Sequence, residues 1–105
     1  MYICFAEYRI SPEQREQYLL YTEALLAESR HVYIYEGTDQ PNLFVEVWHA
    51  PTAAAADDIK KERCNERSPW FRISEWVIGG AAKLHVWTFK PVLPKEDCWP
   101  DPGRV

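Results

Sequence analysis

Glutamates, a histidine, an arginine and a tyrosine sit inside the most strand-like segments of this 105-residue chain. Glu7, Tyr8 and Arg9 lie in FAEYRI, Glu46 in LFVEVWH and His85 in AKLHVWTFK. Two carboxylates and an imidazole in an aromatic-walled space can transfer protons. Confinement raises a carboxyl pKa, and a neighbouring guanidinium lowers it. Glu7, Glu46 and His85 are the candidate acid–base groups, and Arg9 is a candidate substrate-binding cation. The alternative is that all four form ion pairs and hydrogen bonds that fix the register of a subunit interface. Tyr8 is a candidate because its phenol can hydrogen-bond a ligand oxygen; the alternative is a core tyrosine with its hydroxyl satisfied at the rim. Trp70, Phe71 and Trp76 can wall a substrate pocket, or serve as plain core.

Other chemistries find no support. Lys60, Lys61, Arg63, Arg67 and Arg72 form the one locally basic stretch, with Glu62 and Glu66 between them. The Asp57–Lys61 spacing, with Asp58 and Glu62 interleaved, predicts a solvated, salt-bridged helix rather than an anion site. His31 and His49 lie near opposite ends of a hairpin with no third ligand, so no metal is expected. No phosphate-loop, dinucleotide or nucleophile-elbow motif occurs. Cys4, Cys64 and Cys98 are odd in number and widely spaced, which predicts free thiols in a reduced, cytoplasmic setting. The chain opens directly into alternating residues with no signal-peptide pattern. A 47% hydrophobic and 14% aromatic composition excludes disorder. A net charge of −4 with no basic block argues against nucleic acid. No apolar run approaches the roughly 18 residues of a membrane span.

The elements that position these residues follow from periodicity. Residues 2–10 alternate with period two and predict a strand. Ser11-Pro12-Glu13-Gln14 reads as a capping box with proline at the first helical position, opening a helix to about Ser29. Its apolar arc holds Tyr18, Leu19, Tyr21, Thr22, Leu25 and Leu26. Residues 31–36 and 42–49 predict a hairpin around the 37–41 turn. Ala50-Pro51-Thr52 opens a second helix. Ser68-Pro69 restarts a helical turn that Gly79-Gly80 ends, and residues 82–90 form a last strand.

The order is β-α-β-β-α-β. It predicts a ferredoxin-like α+β domain over residues 1–92, with a four-stranded antiparallel sheet covered by helices on one face, and a Pro-rich tail over 93–105. Cys4, Ala6, Tyr8, Leu43, Val45, Val47, Leu84 and Val86 are the set expected under the helices. Phe5, Glu7, Arg9, Phe44, Glu46, Trp48, His85, Trp87 and Phe89 are expected on the open face. Glu7 and Glu46 thus fall on one face of neighbouring strands, taken as parallel within the otherwise antiparallel sheet. An open face this rich in aromatics predicts a homodimer closed sheet to sheet.

FAEYRI, and LFVEVWHAP followed by an Ala-rich helix, together with the strand order and the length, resemble the antibiotic biosynthesis monooxygenase superfamily. The likeness spans about residues 1–92. It implies a dimeric α+β barrel with a substrate pocket between sheet and helices, beside Tyr8. It also implies cofactor-independent oxygenation of a small electron-rich aromatic of quinol or anthrone type. The heme-degrading branch has an Asn where this chain has Tyr8, and a heme-ligating His in or after the second helical region. No His occurs between His49 and His85, so neither heme nor any other cofactor is expected. The other outcome, from a different class, is a non-catalytic ligand-binding or stress-associated dimer.

Overall fold

A computed structural model describes residues 1–93. The chain runs through β1 (Tyr2–Arg9), α1 (Arg15–Glu28), β2 (Val32–Glu36), β3 (Leu43–Ala50), α2 (Ala53–Arg63) and β4 (His85–Phe89). The sheet order is β2-β3-β1-β4, and every neighbouring pair is antiparallel. This is the expected ferredoxin-like α+β fold. The β1–β3 pair is antiparallel like the rest, which corrects the parallel assignment of the strands bearing Glu7 and Glu46. The residues expected as a tail, 93–105, fall outside the described region apart from Leu93.

Local chemistry sets the element ends. Ser11 makes no side-chain cap, so the predicted capping box is absent. Its backbone N–H instead donates to Trp76 O, and its carbonyl accepts from Gln14 N–H, which leaves Pro12–Gln14 as a 3-10 turn before α1. Thr52 does cap α2, its hydroxyl accepting from Ala55 N–H at 3.0 Å. Ser68-Pro69 leads into a 3-10 helix, Phe71–Trp76, tied to the end of β1 by Ile78 N–H to Arg9 O. β4 begins at His85 rather than residue 82, because Gly79 and Gly80, both at positive φ, open a further 3-10 turn. A side chain at Gly79 would run into Lys83 Cγ.

α1 buries Tyr18 and Thr22, with Tyr21, Leu25 and Leu26 half-buried. Leu19, predicted in the same arc, is instead 40% exposed at its margin. A surface ion pair ties the start of α1 to the β2–β3 hairpin. Arg15 Nη2 donates to Glu36 Oε1 at 2.8 Å, and Arg15 Nη1 donates to Asn42 Oδ1. Hydrogen bonds from Arg15, and one from the Asn42 N–H, hold the Glu36 carboxyl down at about 2. Asn42 itself is at φ 69°.

The largest difference from the sequence reading is the parity of β3. Directly opposed residues of paired strands share a face. Glu46 opposes Ala6, Phe44 opposes Tyr8 and Trp48 opposes Cys4, so all three lie on the helix side. Leu43, Val45 and Val47 oppose Arg9, Glu7 and Phe5 and lie on the open face. Both β3 assignments are therefore reversed, as a one-residue change of register does to a whole strand. The β1 and β4 assignments stand: His85 opposes Glu7, Trp87 opposes Phe5 and Val86 opposes Ala6.

The helix side holds the core, where Ala6, Tyr8, Ile10, Tyr18, Phe44 and Ile73 form one cluster with Trp70 and Trp76. The open face keeps its aromatic character by exchange. Phe44 and Trp48 leave it, while Tyr33 and Tyr35 of β2, opposing Val47 and Val45, join it at 54% and 56% exposure. Trp87 and Phe89 are 44% and 50% exposed there.

Candidate functional site

Three elements meet at a buried carboxylate. β1 supplies Tyr8, β3 supplies Glu46 and Trp48, and the last residue of α2 supplies Arg63. Glu46 is fully buried and Arg63 is 1% exposed. Arg63 donates from Nε to Glu46 Oε1 and from Nη2 to Oε2, both at 2.8 Å. Trp48 Nε1 donates to Oε1 at 2.9 Å and the Tyr8 hydroxyl to Oε2 at 2.6 Å. Because Tyr8 gives its proton to Glu46, the Tyr18 hydroxyl, 2.8 Å away, donates to Tyr8. The result is a polar chain, Tyr18–Tyr8–Glu46–Arg63, inside an aromatic core. The guanidinium lies 5.8 Å from the ring centres of both Tyr8 and Trp70.

Burial, assisted by the Glu46 carboxylate, holds the Tyr8 phenol well above the usual tyrosine range, and burial raises Tyr18 as well. Both are protonated donors at neutral pH. Burial opposes the charge on Arg63, but the Glu46 carboxylate outweighs it and the guanidinium pKa is raised. Burial and the same carboxylate push the neighbouring Cys4 thiol up to about 11, so it is not a nucleophile.

This cluster backs onto a cleft of about 210 Å³ lined by Trp48, Asp58, Ile59, Glu62, Arg63 and Trp70. Trp48 and Trp70 cross edge to face with ring centres 4.7 Å apart. Asp58 and Glu62 are exposed and Ile59 is half-buried. The cleft is apolar except for the guanidinium of Arg63 and these two outer carboxylates.

The structure divides the residues singled out from the sequence. Tyr8, Glu46 and Trp70 come together at the cluster. Glu7, Arg9 and His85 do not join them: they line a separate, open cleft of about 350 Å³ at the end of the sheet, with Ile78, Gly79 and Lys83. Glu7 and Glu46, expected on one face, lie on opposite faces of the sheet. Trp76 packs edge to face on Tyr21 at 5.3 Å, and neither it nor half-buried Phe71 is among the residues lining the cleft.

The sequence reading missed Arg63 and Tyr18. By sequence Arg63 belongs to a basic stretch that predicts a solvated helix, yet it falls seven residues after buried Ala56 and four after Ile59, on one helical face. That spacing was the available signal. The rest of the stretch is surface, with Lys61 and Asp57 paired at 3.1 Å as their spacing predicts.

No group of three or more metal-ligating side chains occurs among the described residues, and no helix there is long and apolar enough to cross a membrane. The donor set of the Trp48–Trp70 cleft does not fit heme. None of the three histidines lines the cleft, and its volume is below the usual range of ~300–1,000 Å³ for cofactor pockets.

No protein-family model and no curated protein matches the sequence. Solved structures do match in fold. An antibiotic biosynthesis monooxygenase superposes with TM-score 0.64 at 19% identity, over 89% of this chain and 100% of its own. A proposed antibiotic biosynthesis monooxygenase from Nitrosomonas europaea gives 0.61 at 18% identity, with the same coverage. Another proposed member, from Deinococcus radiodurans, gives 0.61 at 13% identity over 94% of this chain and 100% of its own. The element order, the sheet order and these superpositions agree: the chain has the fold of the antibiotic biosynthesis monooxygenase superfamily.

Proposed function

We propose that the protein is a cofactor-independent oxygenase of a small electron-rich aromatic bound in the Trp48–Trp70 cleft. The observation that carries this reading is the buried Arg63–Glu46 pair at the wall of an aromatic-lined cleft. A phenol or quinol loses its hydroxyl proton and reduces O2. The ring hydrogen and the hydroxyl proton leave with one oxygen atom as water, and the other oxygen atom stays on the ring as a carbonyl. Arg63 stabilises the developing oxyanion electrostatically from the cleft wall. Asp58 and Glu62 are the carboxylates placed to accept the proton. Tyr8 and Glu46 act as positioning residues: Tyr8 and Trp48 orient the carboxylate, and the carboxylate orients Arg63. Trp70 binds the ring, Trp76 supports it from the same core cluster, and half-buried Phe71 flanks Trp70 in the chain.

Oxygen uptake with a panel of quinols and anthrones tests this. The expected product is heavier by one oxygen and lighter by two hydrogens. Ile59→Trp, which fills the cleft, should cut the rate at least tenfold with the melting temperature held. The complete commitment of Glu46 to four donors favours the second reading, a non-catalytic ligand-binding dimer, because no free lone pair faces a substrate. Ligand-induced melting shifts with no oxygen uptake would establish it.

We further propose that a second copy covers the open sheet face, where Glu7, Arg9 and His85 fix its orientation. The support is the run of Tyr33, Tyr35, Phe5, Trp87 and Phe89 on that face, with Phe5 6.1 Å from both Trp87 and Phe89. Light scattering at micromolar concentration should give a mass of two 12.3 kDa chains, and Trp87→Glu a mass of one. A wild-type mass of one chain overturns the dimer.

A further inference from the structure

Between two attachments to β1 the chain leaves the strand. His85 opposes Glu7, and further along β1 the Ile78 N–H donates to Arg9 O while Val77 bridges to Ile10. Residues 79–84 turn away between these points through a 3-10 helix. The open cleft of about 350 Å³ at the end of the sheet lies here, lined by Glu7 and Arg9 from β1 and by Gly79 and Lys83 from the turn.

Two cations are held at its wall. Gly79 sits at φ 87° and has no side chain, so the Lys83 stem packs across its backbone, where a Cβ would run into Lys83 Cγ. Arg9 Nη2 donates to Gln40 Oε1 at 3.1 Å, a neutral acceptor that steers the guanidinium without cancelling its charge. Among the described residues neither Arg9 nor Lys83 forms an ion pair. The chain as a whole has sixteen acidic and twelve basic residues, so two uncompensated cations in one cleft run against its general charge. Like charges lining a cleft concentrate counter-ions there.

The remaining lining residues restrict the anion. The guanidinium fork matches a carboxylate with two parallel hydrogen bonds, and a lysine adds a point charge. His85 stacks on Trp87 with ring planes 5° apart, which fixes the imidazole beside them. Glu7 is half-buried and opposes His85. Two cations less this carboxylate leave one net positive charge, which a single negative charge balances. A second charge on the ligand would face Glu7, and such repulsion discriminates against a partner. Half-buried Leu43 and Ile78, 50% exposed, give aliphatic surface for a small apolar body.

We propose that this strand-end cleft binds a small aliphatic monocarboxylate, its carboxylate held by Arg9 and Lys83 and its apolar part resting on Leu43 and Ile78. The site shares no lining residue with the Trp48–Trp70 cleft and is independent of the oxygenase reading.

The probes are isovalerate, its uncharged analogue isovaleramide, acetate and the dianion succinate, titrated at neutral pH into the full chain and followed by NMR. Isovalerate should saturate in the millimolar range and shift the backbone signals of Gly79, Lys83 and His85, with the Trp48 and Trp70 indole signals unmoved. Isovaleramide should bind about tenfold more weakly, or about 1.4 kcal/mol. Acetate, without the branched body, should bind severalfold more weakly. Succinate should also bind more weakly than isovalerate and gain affinity in Glu7→Gln. Lys83→Gln should weaken isovalerate severalfold with the melting temperature held, and Arg9→Gln/Lys83→Gln should abolish its binding. Equal affinity for the acid and the amide overturns the proposal. So does binding that survives the double substitution, tighter binding of succinate, shifts confined to Trp48 and Trp70, or no saturation at millimolar concentration. Light scattering during the titration separates a small acid from a carboxylate of a second copy. The mass should be unchanged by isovalerate. A mass that falls shows the cleft to be filled by the partner, which also overturns the proposal.

Discussion

Glu46→Gln should destabilise the protein by about 3–5 kcal/mol, because it leaves the Arg63 charge buried without a counter-ion. For a domain of this size that is a fall in Tm of roughly 12–40 °C, at about 4–8 °C per kcal/mol. Arg63→Met should cost a similar amount from the other side, stranding a carboxylate that is fully buried. Substituting the pair together has the opposite logic. Buried ion pairs replaced by apolar residues of similar volume are often neutral or stabilising, so Glu46→Leu/Arg63→Met should recover most of the loss. Recovery should be completed by Tyr8→Phe, since the Tyr8 hydroxyl donates to Glu46 and would otherwise be orphaned. Urea denaturation of the four variants at neutral pH checks this. A single-variant loss below about 1 kcal/mol would show the carboxylate to be solvated, and the positioning role of Glu46 would go with it.

The sequence made the scaffold legible and hid the site, for one physical reason. Element type follows from signals within a segment: alternation in β1, an apolar arc in α1, β-branched and aromatic residues in β2 and β3, and the Ala-Pro-Thr start of α2. Which side of one strand matches which side of another depends on register, and β3 offers no local guide to it. Leu43, Val45 and Val47 are as apolar as Phe44 and Trp48, so either set can face the helices. The lone glutamate among the latter looked like a mark of the wet side. In the fold it marks the opposite, because Arg63 arrives from α2 to neutralise it. An ion pair between residues 17 apart in sequence is invisible until both elements are placed. In β1 and β4 the small and branched residues Cys4, Ala6 and Val86 fall on one side and Phe5, Trp87 and Phe89 on the other. Those two strands could be oriented correctly. The same parity puts His85 and Glu7 on one face, where they oppose one another.

Alkali should unfold the protein early, through the same cluster. Burial raises the phenols of Tyr8 and Tyr18 above their ordinary value of 10. Above pH 10 the unfolded chain releases these protons while the folded chain keeps them. The native state then binds more protons than the unfolded state, and stability falls as pH rises. Stability is full below pH 10 and declines by up to about 1.4 kcal/mol per pH unit for each group. With two such phenols the decline above pH 10 is steeper than either alone would give. Cys4 adds an earlier decline, from its ordinary 9 up to about 11. Urea midpoints from pH 8 to 12 read the slope. Tyr18→Phe should remove about half of the phenolic part, and Cys4→Ala should flatten the onset below pH 10. Unchanged stability through pH 11 would contradict the burial of both hydroxyls. The same burial bears on Tyr8 in the proposed reaction. A phenol raised in this way is a donor at neutral pH. In the oxygenase we propose, its contribution is the hydrogen bond that keeps Glu46, and through it Arg63, in place.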